Sequence, residues 1–274
     1  MDITTVTSYR SARTRADLAL APGEVVMAGG TWIMSEPQPR TTGLVDLTTL
    51  GWPDVEVSDE GLRIGATCTI ARLLAWAERE APADWTSLVL ARPSADALLA
   101  SFKIWNTATV GGNVCQAFAA GAMIAFLSTL DATALVWTPD GGERRIAVAD
   151  LVIDNAETSL APGEVLRALD IPRRALASRV GLQKIALAEL GRSGAVVTAR
   201  VDPDGSSVFV VTAAVRRPRV LRFARIPGAG ELRDAVASAT DFYTDPLGSA
   251  DWRRGVSVVL AERLRAGFVR EAAA

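Results

Sequence analysis

"VVMAGGTWI", residues 25–33, and "NTATVGGNV", residues 106–114, decide how this chain is read. Each sets a bare Gly-Gly pair against an apolar, β-branched run. Turns elsewhere use ordinary chemistry: "SDEG" at 58–61, "PDGG" at 139–142 and "DPDG" at 202–205 suit tight hairpins. Glycine reaches positive φ and lets the backbone approach a ligand closely. Successive N–H groups facing inward make a nest for phosphate. Two such nests from separate parts of the chain suit a diphosphate, gripped from both sides. Neither stretch fits G-x-G-x-x-G or G-x-x-x-x-G-K-[ST], so neither a Rossmann nor a P-loop reading is supported. Taken alone, each pair also reads as a plain turn.

Working outward, the pattern predicts short strands and helices interleaved. Residues 11–21 are expected to be helical. "EVVM" and "GLVD" read as strands, and "VEVSDEGLRIG" as a hairpin. "IARLLAWAERE" has helical spacing, with Ile70, Leu73, Leu74 and Ala77 on one face and Pro82 beyond its end. "DWTSLVLARPSADALLASF" is expected as two helical pieces broken at Pro93. The second glycine stretch is expected as a loop, followed at a distance by the apolar helix "AGAMIAFLSTLDA". "TALVWTPDGGERRIAV" is a second hairpin, and "EVLRALDIP" a strand closed by proline. After Pro172 the texture changes. "RVGLQKIAL", "GAVVTARVD", "SSVFVVTAAV" and "RPRVLRFA" predict a small antiparallel sheet, and two helical segments finish the chain. The fold class is therefore α+β, without regular βαβ alternation. A boundary is expected near residue 176.

Composition narrows the chemistry. The 274 residues are 49% apolar, enough for a sizeable core. A net charge of −2 without long charge runs gives no basic face for nucleic acid. The arginines at 216, 217, 219, 222 and 225 read as a solvated strand and loop face. No segment approaches the roughly 20 apolar residues that cross a bilayer. The opening "MDITTVTSYRSARTRADLAL" lacks the basic start and apolar block of a secretory signal. A cytoplasmic location without membrane insertion is expected. There is no histidine, which removes the usual general base and zinc ligand. Cys68 and Cys115 are the only cysteines. They read as buried structural thiols and cannot form a [2Fe–2S] centre, which needs four. No catalytic acid, nucleophile or metal site is nominated, and the chemistry is expected from a bound cofactor.

The ordered set "AGGT", "GLVDLTTL", "GLRIGATCTI", "NTATVGGN" and "LSTLDATALV" resembles the FAD-binding medium subunit of molybdenum hydroxylases, the xanthine dehydrogenase and carbon monoxide dehydrogenase family. The tail "DFYTDPLGSADWRRGVSVVLAERL" is similar to that family's C-terminal domain, so the resemblance covers nearly the whole chain. It implies a two-subdomain FAD-binding fold of the PCMH type over residues 1–176, divided at about residue 52 into 1–52 and 53–176. A C-terminal α+β lobe with a small antiparallel sheet is implied over 177–274. It implies that Val26, Met27, Ala28, Gly29, Gly30, Thr31, Trp32 and Ile33 form the first FAD loop. Thr109, Gly111, Gly112 and Asn113 form the second. Leu99 and Leu166 fall where the family has apolar cofactor contacts, and read otherwise as core. Lys184 matches a lysine near the flavin ring, and reads otherwise as a surface lysine. Glu189 and Arg192, further on, read as a surface ion pair or as part of the acceptor side.

The chain departs from the family pattern at four positions. Trp105 replaces a basic residue before the second stretch. Ala119 and Ala122 replace the Pro and Asp of "SPAAD", and Trp32 stands where a small or polar residue is common. Losing a carboxylate beside a diphosphate lowers Coulomb repulsion. It also removes a hydrogen bond to the ribityl chain, typically about 1 kcal/mol net. The resemblance implies an FAD-containing electron-transfer subunit of a molybdopterin-dependent dehydrogenase or hydroxylase. Its partners would be a subunit with two [2Fe–2S] clusters and a large molybdopterin subunit, commonly two copies of three chains in a heterohexamer. Electrons would pass to NAD, oxygen, a quinone or another acceptor. The alternatives are a non-catalytic scaffold that has lost FAD and a flavoprotein that works alone.

Overall fold

The computed structural model describes residues 3–97, 100–188 and 191–273. Strands β1 (Ser8–Ser11), β2 (Glu24–Met27) and β3 (Gly43–Asp46) form a parallel sheet in the order β1-β3-β2. The helix expected over 11–21 is absent there: β1 ends at Ser11, and only one 3₁₀ turn, Arg15–Leu18, follows. The Asp17 carboxylate accepts the N–H groups of Arg13 and Thr14, at 2.9 and 2.7 Å, and closes that turn on itself. Arg10 then ties the returning chain through the Ala19 carbonyl and Glu24.

The first hairpin forms as expected, β4 (Val55–Ser58) and β5 (Gly61–Gly65), with Gly61 at φ +139° beyond the two-residue turn. Helix α1 (Ile70–Arg79) starts where Thr69 Oγ1 accepts the Arg72 N–H at 3.1 Å, a side-chain N-cap. It buries Ile70, Leu73, Leu74 and Trp76, with Ala77 packed partly buried against the same core. A 3₁₀ turn, Thr86–Leu90, runs into α2 (Ala91–Asp96). Pro93 lies in the first turn of α2, where its missing N–H costs no intrahelical bond. The change of helix type therefore falls at Ala91, ahead of the proline.

Two short helices follow, α3 (Phe102–Trp105) and α4 (Val110–Cys115), then the apolar α5 (Ala122–Thr129). Next come β6 (Thr133–Trp137), β7 (Glu143–Ala147), α6 (Val148–Leu151), β8 (Val152–Asp154), β9 (Glu157–Thr158) and β10 (Val165–Pro172). β4, β5, β10, β6 and β7 form one antiparallel sheet in that order, and β8–β9 a small hairpin. After α7 (Arg173–Leu176), β11 (Arg179–Ala186), β12 (Ser193–Val201), β13 (Ser207–Thr212) and β14 (Arg219–Phe223) make the expected antiparallel meander. α8 (Ala229–Ala237) and α9 (Ala250–Ala273) pack on it. No helix among the described residues is long and apolar enough to cross a membrane.

α5 joins the amino-terminal core to the meander. All eight of its residues are buried. Leu127 and Phe126 belong to the core around α1 and β10, while Ala125 packs in a cluster with Ala97, Val196 and Ala213. Just beyond α5, Asp131 accepts from Arg200 and Arg222, and pairs with Arg174 as well. Arg200 is 1% exposed and also holds Asp202 and the Thr129 carbonyl. Burial alone would raise the Asp131 pKa, but the Arg222 and Arg200 guanidiniums bring it down to about 2.

Candidate functional site

Both glycine stretches line one cleft of about 720 Å³, within the range of cofactor-sized pockets. Val26 through Ile33 form one wall; Thr109, Gly111, Gly112 and Asn113 lie on another, and Leu166 of β10 contributes a buried side chain. The stretches touch directly. A Cβ on Gly29 would stand 1.9 Å from the Thr107 carbonyl oxygen, so glycine there serves the approach of one backbone to the other. Gly30, at φ +67°, then turns the chain along the cleft.

The two stretches differ in what they offer. The second, expected as a loop, is helical: Val110–Cys115 is α4, and Thr109 is its N-cap. Its amide protons already have acceptors. Val110 N–H donates to the Cys68 carbonyl, Gly111 to Ala66, Asn113 to the Thr109 carbonyl and Gly112 to Thr109 Oγ1. Gly111 is a packing glycine, since a Cβ there would meet Ala66 at 2.6 Å. Gly112 faces the cleft, with only Thr109 Oγ1 near its absent Cβ. The first stretch is the donor wall. Among the described residues no acceptor takes the amide N–H of Ala28, Gly29, Gly30, Thr31, Trp32 or Ile33. Six successive donors without a protein partner, on half-buried or exposed backbone, are open to solvent or to a ligand acceptor. An oxygen-rich anion such as a diphosphate suits them, and the side-chain-free Gly112 leaves room opposite.

The departures from the family pattern have local structural accounts. Ala122 is the first residue of α5, whose Met123 N–H donates to Asn113 Oδ1 at 2.9 Å. The Asn113 amide therefore caps α5 with its oxygen. Ala119 lines the cleft, and its N–H donates to Asn155 Oδ1 at 2.9 Å. Trp105 packs partly buried against the core, with the Arg92 guanidinium 5.7 Å from its ring. Trp32 meets Phe118 edge to face, ring centroids 4.6 Å apart.

Lys184 is not part of the cleft wall: its exposed ammonium donates to the Asp96 carbonyl at 3.2 Å. Leu99 and Glu189 lie outside the described residues. Arg192 is in the cleft wall and, among the described residues, has no carboxylate partner. Sequence reasoning missed Phe118, Asn155, Tyr243 and Asp245, which also line the cleft. The last two belong to the carboxy-terminal part. Asp245 is paired with the fully buried Arg253, which also donates to the Gly194 carbonyl at 2.8 Å. Tyr243 O–H donates to the Ala213 carbonyl at 2.8 Å, and burial raises its pKa, so it stays protonated. Glu164 is held ionised by hydrogen bonds from Arg144, which lower its pKa, and its charge is neutralised there. Burial pushes the Cys115 thiol up to about 12, so it is no nucleophile at neutral pH. No cluster of acidic or cysteine side chains able to hold a metal occurs among the described residues. The arrangement is suited to holding a polyanionic, partly apolar ligand.

Residues 6–174 match the family model described as the FAD binding domain in molybdopterin dehydrogenase. The chain is 27% identical over 157 residues to the 6-hydroxypseudooxynicotine dehydrogenase complex subunit alpha of Paenarthrobacter nicotinovorans, covering 54% of this chain and 49% of that protein. It thus spans about half the length of this curated relative. Among solved structures, quinoline 2-oxidoreductase of Pseudomonas putida 86 superposes with a TM-score of 0.81 at 20% identity, covering 99% of both chains. CO dehydrogenase of Oligotropha carboxidovorans superposes with a TM-score of 0.80 at 22% identity, covering 93% of this chain and 95% of that one. The structural likeness carries the fold, and the family model spans both glycine stretches and the donor wall. The chain belongs to the family of FAD-binding domains of molybdopterin dehydrogenases, and FAD is its cofactor.

Proposed function

We propose that this chain is the FAD-carrying electron-transfer subunit of a molybdopterin-dependent dehydrogenase or hydroxylase. The observation that supports it best is the row of unpartnered amide donors from Ala28 to Ile33, in a cleft whose opposite side is kept clear at Gly112. In this reading Val26–Ile33, Thr109, Gly111, Gly112, Asn113 and Leu166 form the cofactor site. Residues 1–176 carry the cofactor, and 177–274 close the cleft with Arg192, Tyr243 and Asp245. FAD, when bound, supplies the exchange between single-electron and paired-electron transfer. The chain's own part is to bind it, orient it and shield it from water.

Electrons would enter from a partner with iron–sulfur clusters, because the two cysteines here cannot assemble one. They would leave to an external acceptor such as NAD, oxygen or a quinone. Substrate oxidation would take place on a molybdopterin subunit. The purified chain should show flavin absorbance near about 370 and 450 nm. It should be inert toward aldehydes and heterocycles, yet accept electrons from a chemical reductant. In the assembled complex, removing only this chain should abolish transfer to the external acceptor while an artificial dye is still reduced by the remaining subunits. Rapid bleaching of the flavin by an organic substrate in the purified single chain would contradict the subunit reading.

A further inference from the structure

Trp32 is 40% exposed, an unusual position for an indole beside a glycine turn. It lies within the row of unpartnered donors of the first stretch and lines the cleft. Its ring meets Phe118, six residues past Gly112, at 4.6 Å between centroids and 67° between planes. Phe118 also lines the cleft, so the two rings bridge the donor wall and the α4 side.

The two halves of the pair are held differently. Phe118 is pinned on both flanks. Ala117, at φ +50°, accepts from the Ala156 N–H at 2.9 Å. Ala119 donates to Asn155 Oδ1 at 2.9 Å and accepts from the Ala213 N–H at 2.6 Å. Three hydrogen bonds, from the β8–β9 turn and from Ala213 just past β13, therefore fix the backbone around that ring. Trp32 sits in a single helical turn closed by Met34 N–H to Gly30 and Ser35 N–H to Trp32, with the left-handed Gly30 as its pivot. One ring is anchored, and the other rides on a turn with few ties.

We propose that Trp32 and Phe118 form an aromatic clamp that closes over the diphosphate seated on the Ala28–Ile33 amides. The clamp excludes water from those N–H···O contacts, which strengthens them electrostatically. The inference rests on the cleft being a dinucleotide site.

The test uses the full-length chain and its Trp32→Ser, Trp32→Phe and Phe118→Ala variants. FAD release is followed by the rise of flavin fluorescence after dilution, and ADP and riboflavin affinities by calorimetry. Trp32→Ser and Phe118→Ala should each release FAD about tenfold faster, the scale expected for losing a well-placed aromatic pair. Both should weaken ADP by a similar factor and leave riboflavin, which has no phosphate, unchanged. Trp32→Phe should stay near the parent rate, and the double variant should be little worse than either single one. Melting temperatures near the parent value identify the effects as local. Unchanged release in variants of a chain that binds FAD overturns the clamp alone. Riboflavin weakened as much as ADP shows that the rings grip the flavin instead, and overturns it as well. A parent chain that takes up neither FAD nor ADP overturns the dinucleotide reading together with the clamp.

Discussion

Gly111 and Gly112 are neighbours with opposite reasons for lacking a side chain. A Cβ on Gly111 would meet Ala66 Cβ and its carbonyl oxygen at 2.6 Å, both in well-packed surroundings. Gly111→Ala should therefore destabilise the fold by about 1–3 kcal/mol, the usual range for overpacking, read as a lower melting temperature with or without FAD. A Cβ on Gly112 would meet only the Thr109 hydroxyl and otherwise open onto the cleft. Gly112→Val should leave the melting temperature of the FAD-free chain within a few degrees of the parent while sharply lowering its FAD content. A well-folded Gly112→Val protein with full flavin stoichiometry would move the diphosphate elsewhere. The sequence marks both glycines as special but cannot separate these roles, because the difference lies in what packs against them. The same limit applies to Trp32 and Phe118, which are 86 positions apart and meet only through the tertiary fold.

Secondary elements were legible wherever alternation or helical spacing was strong. The hairpins β4–β5 and β6–β7, the meander β11–β14 and helix α1 follow directly from such patterns. β1 was not legible, because "SYRS" is polar and half exposed, and its pairing with β3 comes from across the chain. α4 was missed because glycines argue against a helix; the Thr109 cap and the backbone bonds to Cys68 and Ala66 override that preference. The turn after α5 carries another feature that composition hides, Asp131 in a positive-φ conformation surrounded by three arginines. Its folded pKa, about 2, is below the usual carboxylate value near 3.9. Its contribution to stability is thus fully present above about pH 4 and is lost as the pH falls toward 2. Asp131→Asn should lower stability at pH 7 by about 1–3 kcal/mol, because the buried Arg200 keeps Asp202 but loses its charge-assisted hydrogen bond to Asp131. It should also flatten the acid limb of the stability curve between pH 4 and 2. Denaturant melts across that range check both; a parallel acid limb in the variant would show that Asp131 is not its source.

Across the whole molecule, the change of texture after Pro172 suggests a separable carboxy-terminal lobe, yet the structure ties that lobe to the cofactor half at several points. α5 is buried on every face, partly by β12 and β13. Its all-apolar sequence signals this in retrospect, since a helix with only one core would leave a polar face. Thr129 and Thr198 hydroxyls meet at 2.5 Å, Arg200 reaches back to Asp131, and Ala213 N–H binds the Ala119 carbonyl at the edge of the cleft. A fragment ending at residue 176 would uncover one side of α5 and leave Asp131 without Arg200 and Arg222. It would also remove Arg192, Tyr243 and Asp245 from the cleft wall. Such a fragment should melt lower than the full chain, bind a hydrophobic dye, and release FAD faster, while still retaining the Ala28–Ile33 donors. Co-expression with residues 177–274 should restore both the melting temperature and the release rate, because the missing contacts are packing and ion pairs that need no peptide bond between residues 176 and 177. If the 1–176 fragment alone holds FAD as long as the full chain does, the carboxy-terminal lobe does not shield the cofactor, and its contacts with α5 serve stability only.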